Sequence, residues 1–292
     1  MVVVTGSHGR LGRALVNALG SANVAVLGLA RPDIDLDDPA TAARVVRTPD
    51  LELVIHCAAW TDVDGCARQP DLAQRRNGHA VGELASSCAA AGVRMLLIST
   101  NEVFDGQRQD SRGYAETDEV RPINSYGRSK LLGEQLARAA FADAGRATDL
   151  AIIRTAWLFG PPGDDFPARI VAAADRLPEG AGLSVVADEI GTPTYAPDLA
   201  AVIVQLVTSR GAYGVLHVVN DGRASRAEYA QHVLGRCRPA RAVLPISGHE
   251  YTRASTPPAW AVLDNRHARA LGMVMRPWQQ ALDDYLDSIC PS

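Results

Sequence analysis

The first 160 residues alternate short apolar runs with longer stretches of mixed polarity. The runs that we interpret as strands are Val2–Val4, Asn23–Leu29, Leu53–His56, Arg94–Ser99 and Leu150–Arg154. They are too continuously apolar for a sheet with one solvent-exposed face. Such runs are typical of parallel strands that helices cover on both sides.

The stretches between these runs carry apolar residues at helical spacing. We predict helices over Arg10–Leu19, Val81–Ala91 and Ser129–Ala140. The apolar face of the first helix consists of Leu11, Ala14, Leu15, Ala18 and Leu19. Strands and helices in this alternation predict an α/β fold, a Rossmann-type doubly wound parallel sheet.

The alternation becomes irregular after residue 160. The pattern there predicts one more apolar helix over Leu199–Val207 and one more strand, Val215–Val219, that returns to the first sheet. The segments beyond Ser225 predict short helices between proline-bearing loops.

Length and composition agree with a globular protein of two parts. The 292 residues, 47% of them hydrophobic and 21% charged, are enough for one large domain or two modest ones. We predict a Rossmann domain over residues 1–160, joined by 197–220, and a smaller C-terminal substrate-binding lobe over 161–196 and 221–292.

The charge and the apolar run lengths exclude several classes of protein. The net charge of −4 provides no global positive field that would recruit nucleic acid or an anionic membrane. The longest apolar runs are far shorter than the roughly 20 residues that span a bilayer, and the opening MVVVTG has no basic leader. We expect a soluble protein with neither nucleic-acid nor membrane partners.

The cysteines and histidines do not form a recognisable ligand pattern. The cysteines are odd in number, widely spaced and without a CxxC motif; they are Cys57, Cys66, Cys88, Cys237 and Cys290. The histidines never stand at ligand spacing with one another or with a cysteine. We therefore expect no disulfide framework, no metal site and a location in the reducing cytoplasm.

The first predicted strand runs directly into a glycine-rich turn that opens the first helix. Gly6 permits the tight turn, Gly9 lets a pyrophosphate approach the backbone, and Gly12 lets the helix lie close to the sheet. The helix N-terminus supplies N–H groups and a partial positive charge. This placement favours a dinucleotide cofactor over a plain turn whose glycines serve packing. The predicted cofactor contacts here are Gly6, His8, Gly9, Arg10, Leu11 and Gly12.

The end of the second predicted strand should meet the ribose of the adenosine. That strand ends near Arg31, and Arg10 stands in the glycine turn. Two guanidiniums near one phosphate favour NADPH through charge-assisted hydrogen bonds. If Arg31 is only a solvated loop residue, NADH is the alternative. Asp35 and Leu36 follow at a place suited to the adenine edge.

Tyr126 and Lys130 stand four residues apart, so they share one face of a helix. A nearby ammonium favours the phenolate and lowers the pKa of a tyrosine that donates a proton to an alkoxide. This spacing alone is often accidental. Together with the glycine turn and a hydroxyl, Thr100, at the end of a central strand, it predicts a catalytic group.

Seven segments along the chain carry a family resemblance. They are TGSHGRLG, HCAAWTDVD, STNEVFDG, YGRSKLLGE, RTAWLFG, VVADEIGTPTYAPDLA, and AVLDN followed by PWQQAL. In this order they resemble the extended short-chain dehydrogenase/reductases, and among them the dTDP-4-dehydrorhamnose reductase group. The resemblance extends over almost the whole chain.

The resemblance implies roles for individual residues. Tyr126 would protonate the substrate oxygen as hydride arrives from the nicotinamide, and Thr100 would hydrogen-bond the reacting carbonyl. Lys130 would bind the nicotinamide ribose and lower the pKa of Tyr126. Trp157 would lie against the sugar or base of the substrate; the alternative is a core aromatic. The path of the cofactor would be lined by Ala58, Ala59 and Trp60.

Two departures from the group's pattern concern the substrate. Asn101 and Glu102 stand where the reductases usually have Asp-Tyr, and Arg68 replaces a carboxylate. We therefore assign substrate binding to Asn101 and Glu102, with Thr100 and Trp157, and leave the sugar open. Glu102 also resembles the base of nucleotide-sugar 4,6-dehydratases. However, Asn101 stands in place of their acid and cannot deliver a proton.

These observations favour NADPH-dependent reduction of the 4-keto group of a nucleotide-activated 6-deoxy sugar. One alternative is a nucleotide-sugar dehydratase or epimerase of the same superfamily. Another is a non-catalytic, NADP-binding regulatory subunit, because a regulatory subunit of methionine adenosyltransferase resembles the same group. The nucleotide, the sugar, the product stereochemistry and a homodimer stay open.

Overall fold

The computed structural model describes residues 1–209 and 214–290. The strands, in chain order, are β1 (Val2–Thr5), β2 (Val26–Leu29), β3 (Leu53–His56), β4 (Arg94–Thr100), β5 (Leu150–Thr155), β6 (Leu158–Phe159), β7 (Leu183–Val186), β8 (Ile190–Gly191), β9 (Thr194–Tyr195), β10 (Gly214–His217), β11 (Ala224–Ser225) and β12 (Val243–Ile246). The α-helices are α1 (Arg10–Ser21), α2 (Thr41–Val46), α3 (Val63–Arg68), α4 (Pro70–Gln74), α5 (Ala80–Ala90), α6 (Ser125–Asp143), α7 (Phe166–Asp175), α8 (Ala196–Ser209), α9 (Arg226–Cys237), α10 (Arg266–Ala270) and α11 (Trp278–Ile289). A π-helical turn covers Arg75–His79, and 3-10 turns cover Asn101–Val103, Ala147–Asp149 and Gly248–Glu250.

Six parallel strands form the central sheet in the order β10-β5-β4-β3-β1-β2. The chain starts at β1, moves to the edge at β2, and then crosses back over β1 to build the other half. The α/β, doubly wound prediction is therefore confirmed. The strand predicted near Val215 joins this sheet as β10, beside β5.

The two faces of the sheet carry separate cores. Val2 and Val4 pack in the core that contains residues of α1 and α8, whereas Val3 packs in the core that contains residues of α5 and α6. This division follows because successive side chains of a strand point to opposite faces. Helices on both faces explain why β1 and β3 are buried along their whole length.

Two element boundaries near the site differ from the prediction. Strand β2 begins at Val26 because Asn23 adopts a left-handed backbone (φ 56°) in the turn after α1. Helix α6 begins at Ser125, four residues earlier than predicted. There, the side chain of Asn124 accepts a hydrogen bond from the Gly127 amide at 2.8 Å and caps the helix. The earlier start places Tyr126 in the first helical turn.

The C-terminal elements surround an aromatic core. Its largest side chains are those of Phe159, Tyr229, Trp278 and Tyr285. Helices α9 and α11 contain 12 residues each and are longer than the short helices that we predicted. Two-stranded pairings join β6 with β9, β7 with β12, and β8 with β11. The division into two domains stays a prediction.

The expectation that the cysteines form no disulfide is wrong for one pair. Cys237 at the end of α9 and Cys290 after α11 are bonded, with their Cα atoms 5.5 Å apart. The 53 residues between them concealed the pair, because only the side-by-side packing of the two helices brings the thiols together. Cys57, Cys66 and Cys88 are free thiols.

Neither a membrane-spanning helix nor a cluster of metal ligands is present in the part of the chain that the structure describes. No helix in residues 1–209 or 214–290 is both long and apolar enough to cross a membrane. Across the same residues, no group of three or more His, Cys, Asp or Glu side chains is arranged to hold a metal ion.

Candidate active site

A cavity of about 710 Å³ opens at the carboxyl ends of β1, β3, β4 and β5, the edge at which α/β sheets bind ligands. It brings together almost all of the predicted site residues. Those that line it are Gly6, His8, Gly9, Arg10, Leu11, Gly12, Arg31, Leu36, Ala58, Ala59, Trp60, Thr100, Asn101, Glu102, Tyr126, Lys130 and Trp157. Asp35 lines a small neighbouring cavity instead.

The glycine turn has the geometry that a pyrophosphate requires. Gly6 has a left-handed backbone (φ 68°), and a Cβ on it would lie 2.7 Å from the Ala58 nitrogen. A Cβ on Gly12 would lie 2.2 Å from the Gly6 carbonyl oxygen. Gly9 is the N-cap of α1, and no side chain caps this helix. The N-terminal amides of α1 therefore face the cavity without a side-chain acceptor, and an anion fits there.

Arg10 and Arg31 both line the cavity, but Arg10 is bound to other parts of the protein. Arg10 donates from Nε to the Gly160 carbonyl at 3.0 Å and from Nη2 to the Asp164 carbonyl. It also lies 3.9 Å from the buried carboxylate of Asp165. Arg10 thus ties the glycine turn to the loop after β6, because carbonyl and carboxylate oxygens of that loop surround its guanidinium.

A different arginine, Arg76, lines the cavity and shares a carboxylate with Arg31. The π-helical turn places its guanidinium 5.2 Å from the ring centre of Trp60. Its Nε donates to both carboxylate oxygens of Asp37, at 2.8 and 3.0 Å. Arg76 and Arg31 together lower the pKa of Asp37, so both cations lie near the same carboxylate. Arg31 itself is exposed, and its only described ion pair joins it to Asp35 at 3.3 Å.

Lys130 lies buried beneath the cavity. Its Nζ donates to the Ile98 carbonyl at 2.7 Å. Burial lowers the pKa of Lys130 to about 8, although the nearby Glu134 carboxylate opposes this shift. His56 lies in the same region, and burial together with the charge of Lys130 lowers its pKa to about 3. The cation at this point of the site is therefore Lys130, with a neutral histidine near it.

The expectation that Lys130 lowers the pKa of Tyr126 is not met. Burial raises the pKa of the Tyr126 phenol, and the negative charge of Glu102 raises it further, whereas a hydrogen bond with Thr100 lowers it. The ammonium of Lys130 is held at the Ile98 carbonyl. Tyr126 therefore keeps its proton at neutral pH and can act as an acid.

Asn124 holds together the two segments that carry the hydroxyls of Thr100 and Tyr126. While its oxygen caps α6, its Nδ2 donates to Glu102 Oε2 at 2.7 Å and to the Thr256 carbonyl at 3.1 Å. Space is tight at this junction, since a Cβ on Gly127 would lie 2.1 Å from the Glu102 carbonyl oxygen. The start of α6 therefore packs directly on the turn after β4, which carries Tyr126 to Thr100.

Thr100 and Asn101 form hydrogen bonds with protein groups. The Thr100 hydroxyl donates to Asn101 Oδ1 at 3.2 Å, and Asn101 Nδ2 donates to the Ala261 carbonyl at 2.9 Å. Asn101 is buried and ties the end of β4 to the C-terminal segment. Burial raises the pKa of Glu102, and the hydrogen bond from Asn124 and the charge of Arg226 oppose the shift.

Trp157 is held tightly at the far end of the cavity. Its backbone is left-handed (φ 41°), which is a strained conformation for a bulky residue. A Cβ on Gly191 would lie 2.6 Å from its ring. The Arg226 guanidinium lies 3.5 Å from its ring centre. Arg226 and Arg76 are cavity residues that the sequence analysis missed, and neither stands in a motif that could have identified it.

Comparisons with known proteins agree with this geometry. The family model described as the RmlD substrate binding domain matches residues 1–290. A dTDP-4-dehydrorhamnose reductase of Mycobacterium tuberculosis is 38% identical over 288 residues, which cover 96% of this chain and 90% of that protein. A dTDP-4-keto-6-deoxy-D-glucose reductase of Streptomyces niveus is 36% identical, with coverage of 96% and 94%.

A solved structure extends the likeness to three dimensions. The crystal structure of a dTDP-4-dehydrorhamnose reductase from Bacillus anthracis, in complex with NADP, has a TM-score of 0.89 and 30% identity, and the match covers 98% of both chains. The resemblance found in the sequence motifs is thus confirmed over the whole fold. The chain belongs to the RmlD substrate-binding-domain family, the dTDP-4-dehydrorhamnose reductase group of the extended short-chain dehydrogenase/reductases.

Proposed function

We propose that this chain is an NADPH-dependent reductase of the 4-keto group of a dTDP-linked 4-keto-6-deoxy sugar. One observation carries the proposal: the cavity that contains the glycine turn also contains a protonated tyrosine, Tyr126, hydrogen-bonded with Thr100 and close to the buried Lys130. This is the set of groups that carbonyl reduction needs. The names of the curated relatives supply the class of substrate.

The residues of the cavity fit a dinucleotide. The amides at the start of α1 would hold the pyrophosphate, and Arg31 with Arg76 would face a 2′-phosphate. Lys130 would bind the nicotinamide ribose near the strand end that carries Thr100. When bound, the reduced nicotinamide supplies the hydride. The preference for NADPH over NADH is part of the proposal and rests on these two arginines.

The chain's own residues would neutralise the negative charge that forms on the substrate oxygen. A carbonyl carbon that gains a hydride leaves negative charge on its oxygen, and that oxygen must gain a proton. Tyr126 would donate its phenolic proton there, while the Thr100 hydroxyl donates a hydrogen bond to the same oxygen. A proton from solvent would then restore the Tyr126 phenol, which is the favoured form at neutral pH, while the ammonium of Lys130 stays at the Ile98 carbonyl.

The environment of Asn101 and Glu102 favours reduction over dehydration. A dehydratase needs an acid and a base beside the sugar. Asn101 is neutral, and its amide is bound to the Ala261 carbonyl, so it supplies no proton. Glu102 accepts a hydrogen bond from Asn124 and would accept hydrogen bonds from sugar hydroxyls. A regulatory, non-catalytic role would leave Thr100, Tyr126 and Lys130 without a purpose.

The test is NADPH oxidation, followed at its absorbance, with a panel of 4-keto-6-deoxy nucleotide sugars. We expect one NADPH to be consumed for each sugar reduced. Glu102→Gln should raise KM more than it lowers kcat. Loss of water from a nucleotide hexose without any change in cofactor absorbance would contradict the reductase assignment. A Glu102→Gln variant that binds normally but has no activity would contradict it as well.

The cellular location and assembly belong to the same proposal. A reductase that consumes NADPH and a nucleotide sugar needs a compartment that supplies both, so we place it in the cytoplasm. The Cys237–Cys290 disulfide is then expected to be reduced to two thiols under the reducing conditions there. A homodimer stays open and is testable by light scattering.

A further inference from the structure

The basic side chains that line the described cavity differ in what already holds them. Arg10 donates to backbone carbonyls, and Lys130 donates to the Ile98 carbonyl. Arg76 is bound to Asp37, and Arg31 is paired with Asp35. Arg226 instead lies against Trp157, and the carboxylates that act on its charge are those of Glu189 and Glu102.

Arg226 is positioned from three sides. Its backbone N–H donates to the Glu189 carbonyl at 3.1 Å, and its guanidinium carbon lies over the Trp157 ring, 3.5 Å from the ring centre. Its Nε is 3.9 Å from the buried Glu189 carboxylate, which is also paired with Arg253. Residue 226 is the first residue of α9, after the capping box of Ser225 and Glu228, so its backbone is also fixed.

The charge of Arg226 is only partly compensated. Glu189 divides its carboxylate between two arginines, and within residues 1–209 and 214–290 no hydrogen bond joins the Arg226 guanidinium to a protein acceptor. About a quarter of the side chain (26%) is exposed, and it is exposed to the cavity that it lines. Burial lowers the pKa of Arg226 to about 10. A guanidinium held in this way is charged at neutral pH and has N–H donors to spare.

Arg226 lines the same cavity as Tyr126. The carboxylate of Glu102 shifts the pKa of both Tyr126 and Arg226, so the proton donor and the guanidinium lie near the same group. A hexose whose C4 oxygen is at Tyr126 has its C1 oxygen across the ring, and the diphosphate is attached there. Beyond Glu102, the cavity presents Arg226 and Trp157 to that diphosphate.

We propose that Arg226 binds the diphosphate of the nucleotide sugar and that Trp157 is its platform rather than a direct stacking partner of the substrate. This inference rests on the proposed function, since that function supplies the diphosphate. A planar guanidinium matches two phosphate oxygens with parallel N–H donors. Trp157 and Glu189 hold the plane in place before the ligand arrives. Trp157 is thus a positioning residue, and Arg226 is a binding residue that determines specificity.

The experiment measures binding without turnover. Thymidine diphosphate, thymidine and NADPH are titrated by calorimetry into the parental protein, Arg226→Gln and Arg226→Lys. We expect Arg226→Gln to weaken thymidine diphosphate about tenfold or more, with smaller losses for Arg226→Lys. The affinities for thymidine and NADPH should not change. Arg236→Gln is the matched control, because Arg236 is an exposed arginine on the same helix, paired with Asp287.

Several results would overturn the inference. It fails if Arg226→Gln binds thymidine diphosphate as the parental protein does, or if the parental protein does not bind it. It also fails if Arg226→Gln weakens thymidine and thymidine diphosphate equally, because the guanidinium would then contact the base. Trp157→Phe should weaken thymidine diphosphate less than Arg226→Gln does; the reverse order would make Trp157 the direct contact.

The inference and the proposed function can fail separately. If 4-keto sugars elicit no NADPH oxidation while thymidine diphosphate binding still depends on Arg226, the reductase assignment fails and the diphosphate site stands. If sugars are reduced and Arg226→Gln retains the parental KM, the reductase stands and the diphosphate site fails.

Discussion

The phenol of Tyr126 lines the cavity and hydrogen-bonds with Thr100, and burial raises its pKa. Tyr126→Phe keeps the ring and removes the proton. We expect kcat to fall by roughly 10²–10⁴, while NADPH affinity changes little. Steady-state kinetics and a fluorescence titration of NADPH measure the two effects. A Phe variant that reduces the sugar at the parental rate would remove Tyr126 from the role of acid.

Arg31 and Arg10 have different contacts, so their alanine variants should differ in cofactor affinity and in stability. Arg31 forms an exposed pair with Asp35, and such a pair contributes little to stability. Its guanidinium is therefore available to a 2′-phosphate. Arg31→Ala should weaken NADPH about 10- to 150-fold and NADH much less. Arg10 is bonded to the Gly160 carbonyl, so Arg10→Ala should lower the melting temperature and leave the NADPH/NADH ratio unchanged.

Dissociation constants for both cofactors check this expectation in each variant. Arg47→Ala is a control, since Arg47 follows α2 and does not line the cavity. Equal affinities of the parental protein for NADPH and NADH would contradict the role of Arg31. A change of the ratio in Arg10→Ala would restore the two-arginine site that the sequence predicted.

At the scale of elements, the start of α6 determines the geometry of the site. Asn124 caps α6 and donates to Glu102. Loss of an Asn N-cap costs about 0.5–2 kcal/mol, so Asn124→Ala should lower the free energy of unfolding by that amount and raise KM through the released Glu102. Asn124→Ser keeps an acceptor for the cap, but its shorter side chain has no N–H for Glu102. It should recover the stability and not the KM.

Chemical unfolding and steady-state kinetics of the two variants separate these roles. If Asn124→Ser recovered KM together with stability, the contact with Glu102 would be irrelevant to the substrate. If Asn124→Ala matched the parental protein in both measurements, the Asn124 side chain would contribute neither to stability nor to substrate binding.

The elements that sequence patterns predicted are those whose signal is local. The strands β1, β3 and β5 and the helix α1 follow from apolar runs and spacing within one segment, and their positions agree closely with prediction. Gly12 is likewise explained by a close backbone approach within one turn, to the Gly6 carbonyl oxygen. Such patterns depend on residues that are near in sequence.

The features that were missed depend on residues far apart in sequence. Arg226 reaches the cavity only because α9 packs beside Trp157. Arg10 donates a hydrogen bond to a carbonyl in a loop 150 residues away. Cys237 meets Cys290 only where two helices pack together. The early start of α6 needed the cap by Asn124, which the apolar pattern does not include. No local pattern contains these contacts, so tertiary structure was required to find them.

At the scale of the whole molecule, two buried histidines link stability to pH. The Nδ1 of His217 donates to the Tyr114 carbonyl at 2.9 Å, and its Nε2 faces Arg154 at 3.5 Å. The Nδ1 of His56 is 2.8 Å from the Thr5 hydroxyl. Burial, with a nearby cation in each case, lowers the pKa of both from 6.5 to about 3. Both side chains are therefore neutral in the folded protein.

These lowered pKa values determine whether stability rises or falls with pH. Between pH 3 and 6.5 the unfolded chain binds protons that the folded chain does not, so stability is complete above pH 6.5 and is lost as the pH falls. Each histidine contributes at most about 1.4 kcal/mol per pH unit. The carboxylates with lowered pKa values, such as Asp37 and Asp118, add their own loss below about pH 5. The raised pKa of Glu102 acts in the opposite sense. Both effects are common to the parental protein and its histidine variants, so a comparison of their slopes from pH 6 to 4.5 isolates the histidines.

Urea unfolding at several pH values in that window measures the effect. We expect the free energy of unfolding of the parental protein to fall steadily from pH 6 to 4.5, and His217→Gln and His56→Asn each to fall less steeply. An amide does not titrate there, so each variant removes the proton that its histidine would bind on unfolding. His249→Gln, at an exposed position, should keep the parental slope. If the two buried variants kept that slope as well, another group would bind the protons, and the histidines would not link stability to pH.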